Sequence, residues 1–191
     1  MQGRAMKRLV AHPVAAACLA VALAGCATAS PSLVTDPALP RALPTGSAVD
    51  VRWNDPGDFT EIRYSHNRHE ASQGDWVQQL AGYVQARTER ALPSGERVDI
   101  DILDITRAGQ YEWMFSNAQD IRVMRDIYPP RMELQFKHYD ARGAVIAEGE
   151  RTLSDMAYLN GPQPVSSSDP LRYEKRMIDR WVYREFEART R

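Results

Sequence analysis

The densest group of metal-ligating residue types in this sequence is the stretch His66-Asn67-Arg68-His69-Glu70. Imidazoles three residues apart on a helical turn can share a zinc ion, and Glu70 adds a carboxylate. A structural zinc site needs four ligands, however, and no cysteine is available here, while Arg68 separates the two histidines. We therefore interpret this stretch as a solvated polar loop, and we predict no metal site and no cofactor.

Three carboxylates, Asp99, Asp101 and Asp104, lie within six residues and suggest calcium binding or paired acid–base chemistry. Calcium loops place their oxygen ligands on a tight, glycine-containing turn. Here Asp99 and Asp101 instead alternate with branched apolar residues, which is typical of the polar face of a strand. The favoured interpretation is a solvated strand face.

Candidate nucleophiles have no catalytic context in this sequence. Ser154 and the run Ser166–Ser168 lack the Gly-x-Ser-x-Gly elbow of hydrolases, and no glycine-rich phosphate loop is present. His138 continues the apolar face of its predicted strand, so we interpret it as a hydrogen-bonded histidine near the end of the sheet. No catalytic residue is predicted, and a non-enzymatic protein is favoured over an enzyme.

The first 25 residues have the features of a bacterial secretion signal. A basic head with Arg4, Lys7 and Arg8 precedes the apolar, alanine-rich run Leu9–Ala24. This run is shorter than the ~20 apolar residues that a permanent bilayer-spanning helix needs, and it contains a proline. Residues 1–25 are therefore predicted to be removed.

The end of this signal, Leu23-Ala24-Gly25-Cys26, resembles the lipobox of bacterial lipoproteins. The resemblance implies that the Cys26 thiol receives diacylglycerol and that the chain is cut before it. The alternative is an ordinary signal with a chance cysteine near an Ala27-Thr28-Ala29 cleavage site. In such lipoproteins an aspartate after the cysteine favours the inner membrane. Here that residue is Ala27, so the resemblance implies the periplasmic side of the outer membrane.

The charge of the mature chain indicates which partners it can bind, and its cysteines indicate whether it can form a disulfide. The whole sequence has 24 basic and 25 acidic residues; removing three basic ones leaves 21 and 25, a net charge of −4. Without a basic stripe, nucleic-acid binding is not expected. Membrane attachment would then depend on the lipid. Because Cys18 lies in the removed segment, the acylated protein would have neither a free thiol nor a disulfide.

The mature chain is predicted to have two parts. Residues 26–48 contain four prolines without apolar periodicity and are interpreted as an acylated, extended tether. Residues 49–187 have the length of a single domain, with no internal repeat.

We predict an α+β domain with a mostly antiparallel sheet of four to five strands. Its central feature is a hairpin of residues 131–140 and 144–155, in which residues of the first strand alternate between apolar and polar and Asp140-Ala141-Arg142-Gly143 forms the turn. The other strand predictions are Val49–Trp53, Val98–Ile102, Ile121–Val123 and, as a further extended piece, Phe59–Tyr64.

Two amphipathic helices are predicted to pack on this sheet. The first runs from Gly74-Asp75 to Pro93, with Asp75 and Gln78 as a capping box. The second begins at Asp169-Pro170 and has an apolar stripe that includes Trp181.

Five segments of the sequence resemble one family of proteobacterial proteins, the domain-of-unknown-function 3016 family, from about Val49 to Phe186. They are Phe59-Thr60-Glu61-Ile62-Arg63, Asp104-Ile105 with Ala108-Gly109, Tyr128-Pro129-Pro130-Arg131-Met132, Leu153-Ser154-Asp155-Met156 and Asp169-Pro170-Leu171-Arg172-Tyr173-Glu174-Lys175. The third and fourth are the most specific, whereas residues 104–109 depart from the family's acidic, leucine-containing pattern. The resemblance implies no activity.

A candidate partner-binding strip lies between the second and third predicted strands, where Tyr111, Trp113 and Phe115 alternate with other residues. Extended backbone would place the three rings on one side. They either close the open end of the core, which is favoured, or dock a periplasmic protein. We therefore predict a non-catalytic envelope interaction or accessory module anchored by lipid at Cys26. The alternatives are a periplasmic hydrolase whose site is assembled from distant residues, and a protein that binds a metal or small ligand.

Overall fold

Four strands form the main sheet in the computed structural model, which describes residues 32–112, 119–160 and 168–188. The sheet has the order β1-β2-β5-β6, and β3 and β4 form a separate two-stranded ladder. The six strands are β1 (Val49–Trp53), β2 (Arg97–Thr106), β3 (Gln110–Tyr111), β4 (Arg122–Val123), β5 (Arg131–Tyr139) and β6 (Val145–Ser154).

Two of the three strand pairings in the main sheet are antiparallel, as expected, and the third is parallel, so the strand orientation is mixed. β5 and β6 form the predicted antiparallel hairpin, and β2 pairs antiparallel with β5. β1, in contrast, runs parallel to β2, with Val49 opposite Val98. The reason is the long connection between them: its helices carry the chain back to the level at which β1 began, so β2 starts in the same direction.

Four α-helices are present in the described ranges, two of them long. They are α1 (Thr60–Arg63), α2 (Arg68–Ser72), α3 (Trp76–Ala91) and α4 (Arg172–Val182), and a π-helical turn at Tyr183–Glu187 extends the last. α3 and α4 are the two predicted helices. α4 begins two residues beyond Pro170, and the Asp75 carboxylate accepts a bond from the Gln79 side chain rather than capping α3. None of the helices in these ranges is long and apolar enough to cross a bilayer.

The prediction of an extended piece at Phe59–Tyr64 is wrong, because this segment contains the short helix α1. Its first N–H group, on Thr60, donates to the carboxylate of Asp104 at 2.6 Å. Asp104 lies 44 residues away on β2. A partner so distant in sequence satisfies the free start of the helix, and local propensity does not reveal it.

The core lies between one face of the sheet and the two long helices. β1, β2 and β5 contribute alternate apolar residues, and α3 and α4 each contribute one stripe. The largest fully buried side chains include Phe59, Leu80, Ile100, Ile102, Phe136, Leu153 and Ile178. The opposite face of the sheet carries polar residues, as expected for the period of two.

The two ends of the sheet differ in what surrounds them. The hairpin end holds the β5–β6 turn, where Asp140 accepts bonds from the N–H groups of Arg142 and Ala144. The loop end, at the other end of the strands, holds α1 and α2, which follow β1. It also holds the β3–β4 ladder, which lies between β2 and β5 in the chain. Nine residues of β5 separate the two ends, a distance of about 30 Å at the usual rise per residue.

Residues 32–44, which belong to the predicted tether, contact the domain. Val34 is buried, and its N–H donates to the Ser72 carbonyl at 2.8 Å. Further along, the N–H of Leu43 donates to Val51, and the N–H of Trp53 donates to Arg41. This segment therefore covers the outer edge of β1.

Candidate functional site

The outer edge of β6 has no strand beside it in the described residues. Within the described residues β6 pairs only with β5, whereas the opposite edge, on β1, is covered by Arg41–Leu43. β6 is ten residues long, and six of them are exposed. An uncovered edge offers a row of backbone donors and acceptors to another extended segment.

A cleft of about 240 Å³ lies beside the start of β6 at the hairpin end. Its walls combine apolar surface with two carboxylates, and its lining residues are Pro93, Glu96, His138, Ile146, Ala147, Glu185 and Phe186. The His138 Nε2 atom lies 2.6 Å from a Glu96 carboxylate oxygen, and the His138 ring packs edge-on against Phe186. This confirms the interpretation of His138 as a hydrogen-bonded histidine. A histidine–carboxylate pair can act as a general base, but no hydroxyl or thiol nucleophile is among the lining residues.

Arg151 fixes the second carboxylate of this cleft. Its Nε donates to Glu185 at 2.8 Å, and its guanidinium lies 4.8 Å from the centroid of the Phe136 ring. β6 is thereby held to the π-helical turn after α4. The cleft has walls from four parts of the chain, so its shape depends on the whole hairpin end.

A buried ionic cluster occupies the loop end. Glu61, on α1, is 3 % exposed at its side chain and accepts bonds from the guanidinium groups of Arg107 and Arg122. The Arg107 backbone N–H also donates to Glu61, at 2.9 Å. Arg107 stacks on the Trp76 ring at 4.6 Å and Arg122 on the Tyr111 ring at 4.8 Å. The cluster joins α1, α3 and the β3–β4 ladder, and the Glu61 carboxylate lies between two guanidinium groups.

Glu174, on α4, brings a further carboxylate to the same region. One of its oxygens accepts a bond from the Ala108 N–H at 2.6 Å, and its other oxygen, Oε2, is buried without a hydrogen-bond partner. Burial raises the pKa of Glu174 above its ordinary value of 4.5, opposed by the Ala108 bond and by the charges of Arg107 and Arg122. The folded protein therefore keeps this proton to a higher pH than the unfolded chain does.

Glu174→Gln is expected to increase stability relative to the native protein as pH rises. Above 4.5 the unfolded carboxyl loses its proton while the folded one retains it, so the native protein loses stability through this interval. Glutamine has no such titration and keeps an acceptor for Ala108. Urea unfolding midpoints should be measured for both proteins at about pH 4 and about pH 8. The midpoint of the variant minus that of the native protein should be larger at the higher pH. The same difference between the midpoints of the two proteins at both pH values would contradict a raised pKa of Glu174.

Asp155 forms a second buried ionic junction. Its side chain is 1 % exposed and lies 2.7 Å from nitrogens of both Arg176 and Arg180, on successive turns of α4. Arg176 also donates to the carbonyl of Tyr158 at 2.6 Å. Asp155 thus joins the end of β6 to the middle of α4.

The predicted metal-ligating residues are not brought together into a site. His69 and Glu70 are on α2, where both contact the side chain of Gln73, and His66 is exposed in the preceding loop. Asp99 and Asp101 lie on the polar face of β2, where Asp101 pairs with Arg52. In the ranges that the structure describes, no group of three or more such residues is placed to hold a metal ion.

The candidate aromatic strip is only partly described. Tyr111 is 7 % exposed and belongs to the hydrophobic core beneath Arg122. Trp113 and Phe115 lie outside the described residues, as does the predicted lipid attachment site Cys26.

The chain matches the model of one protein family, described as a protein of unknown function (DUF3016), over residues 47–184. The chain belongs to this family. No curated protein and no solved structure matches it. The match confirms the resemblance given by the five sequence segments, and the family description carries no activity.

The five family segments meet one another at the loop end. Thr60 donates to Asp104, Ala108 donates to Glu174, and Gly109 donates to the carbonyl of Tyr128 at 3.0 Å. The N–H of Asp155 donates to the Pro130 carbonyl. The family pattern therefore marks a structural junction, whereas the cleft and the β6 edge lie outside these segments, apart from the end of β6. The only sequence signal for the cleft was His138 on an apolar strand face.

Proposed function

We propose that this protein is a lipid-anchored module of the outer membrane that faces the periplasm and binds another envelope protein without catalysing a reaction. The signal, the lipobox-like end and the alanine after Cys26 support the location. The open edge of β6 carries the proposal of binding. The ionisable groups of the loop end support a structural role for that region, since Glu61 and Asp155 are each held by two arginines.

Cys26→Ser is expected to release the protein from the membrane without unfolding it. The substitution would remove the lipid anchor. Cys26 precedes the predicted domain of residues 49–187, so the core should be unaffected. Cell fractionation should show the variant in the soluble periplasm and the native protein in the outer-membrane fraction. A variant that keeps its signal uncleaved must be excluded by mass. A processed variant that still enters the detergent phase would contradict acylation of Cys26.

The proposed partner segment is an extended peptide that adds to the sheet alongside β6. Strand addition gives affinity through backbone hydrogen bonds, and a neighbouring pocket gives specificity through one side chain. The cleft beside Ile146 and Ala147 is placed to receive such a side chain. We place the partner here rather than on the aromatic strip because Tyr111 belongs to the core.

Charge along β6 favours a basic segment over a second copy of this chain. Glu148 and Glu150 are exposed on the same face of the strand, and Glu150 makes no ion pair within the described residues. Residues opposite each other in an antiparallel pair have their side chains on the same face. If two copies of β6 paired about a two-fold axis at residue 148, 149 or 150, glutamates of the two copies would therefore lie opposite each other. Lysine or arginine at alternate positions of a partner strand would complement both.

Crosslinking from the two sheet edges tests this proposal. A p-benzoylphenylalanine in place of Thr152, which is exposed on β6, is expected to capture one envelope protein within an extended, lysine- or arginine-bearing segment. The same group in place of Arg52, exposed on β1, is the control because residues 41–43 cover that edge.

Charge reversal then separates specific from random capture. Glu148→Lys combined with Glu150→Lys should abolish the product from position 152, since like charges would face the basic segment. Equal products from both edges, or a product that survives charge reversal, would contradict strand addition to β6.

A further inference from the structure

The length of chain between Cys26 and the fold limits where the domain can lie, and this inference rests on the proposed acylation of Cys26. Five residues lie between Cys26 and Ser32, and the six steps from one to the other span at most about 20 Å when fully extended. The Ser32 carbonyl accepts a bond from Gly74 at 2.8 Å, and Val34 is buried. The folded body therefore begins within this distance of the lipid.

The point at which this short connection joins the fold lies at the loop end. Ser32 and Val34 bond to Gly74 and Ser72, which connect α2 to the start of α3. The hairpin end is about 30 Å farther away along the strands, more than the connection can span. An upright domain with its hairpin end against the membrane is therefore excluded.

The loop end exposes large apolar side chains that its own fold does not cover. They are Tyr64, Ile121, Ile127 and Met156, between 58 % and 71 % exposed. Those exposed around the hairpin end are Val145, Ile146 and Tyr183, between 47 % and 52 %. The most exposed apolar groups of the described residues are thus at the end where the anchor enters.

Basic side chains accompany this apolar surface. Arg63 lies 5.7 Å from the centroid of the Tyr64 ring, and Arg68 donates to the Arg63 carbonyl at 3.0 Å. Guanidinium groups bind phosphate through paired N–H donors, and tyrosine suits the boundary between water and lipid. The exposed acids Asp120 and Asp126 balance the two arginines, so the contact would depend on phosphate bonding and apolar insertion rather than on net charge.

We propose that the loop end of the domain rests on the phospholipid surface, with Tyr64, Ile121, Ile127 and Met156 against the headgroup region and Arg63 and Arg68 on lipid phosphates. The hairpin end with its cleft then points away from the membrane. A freely swinging domain would show no such orientation.

Distance-dependent quenching tests this orientation. In the full acylated protein an introduced cysteine is the sole free thiol, so Tyr64→Cys and, as control, Arg142→Cys can each carry one fluorophore. Both residues are highly exposed, Arg142 in the β5–β6 turn with a side chain 93 % exposed. The proteins are reconstituted in vesicles of phosphatidylethanolamine and phosphatidylglycerol that contain a headgroup-labelled nitroxide lipid.

The label at position 64 should be quenched several-fold more strongly than the label at position 142. Adding Arg63→Glu and Arg68→Glu should reduce that difference while the urea midpoint stays unchanged. Equal quenching at both positions in protein that floats with the vesicles would overturn the orientation alone. Protein that fails to float would instead contradict the proposed acylation.

Discussion

Trp181→Ala is expected to lower the free energy of unfolding by about 3 to 5 kcal/mol, the usual cost of truncating a buried aromatic side chain. Trp181 is 2 % exposed, and its ring packs edge-on against Phe136 and Phe186 at centroid distances of 6.3 and 5.5 Å. Alanine would leave a cavity between α4 and the sheet. A urea titration should show a much lower midpoint, or an unfolded protein.

Tyr183→Ala is the matched control for this change. Tyr183 follows Trp181 by two residues and is 48 % exposed, so its loss should have a small effect on the midpoint. Similar losses from the two variants would contradict the packing of α4 described above.

Glu61→Ala is expected to destabilise the fold by about 3 to 5 kcal/mol, because removal of one partner leaves buried charge uncompensated. Arg107 and Arg122, whose side chains are 15 % and 17 % exposed, would lose their shared carboxylate. The backbone N–H of Arg107 would also lose its acceptor. Thermal unfolding followed by circular dichroism should show a large decrease in Tm.

Two further variants separate charge from size at this position. Glu61→Gln keeps the shape and an acceptor but removes the charge, so it should fall between alanine and the native residue. Glu150→Ala on the exposed strand β6 should leave Tm nearly unchanged. A loss at Glu61 no larger than the loss at Glu150 would contradict the ionic cluster as a support of the fold.

The parts of the fold that depend on local pattern were predictable from the sequence. The β5–β6 hairpin is recognisable because apolar residues alternate along its first strand and Gly143 follows a polar turn. The stripe of α3 is recognisable because Val77, Leu80 and Val84 recur with the helical period.

The direction of β1 in the sheet and the contacts between residues distant in sequence were not predictable. The sequence of β1 is compatible with either orientation, and only the path of the helical connection makes it parallel to β2. Glu61 gives no signal of burial, because its arginine partners lie 46 and 61 residues along the chain. The open edge of β6 is a property of the assembled sheet, since it depends on which strand has no neighbour.

The surroundings of Gly109 limit which residue can occupy this position in related proteins. Its φ of +77° is in the left-handed region, and a Cβ there would lie 2.8 Å from the Val123 carbonyl oxygen and would clash with the Met124 sulfur. No side chain fits between Gly109, which follows β2, and strand β4. Any relative that keeps this junction must keep glycine here, which makes the position a fixed reference for aligning distant sequences whose surfaces have diverged.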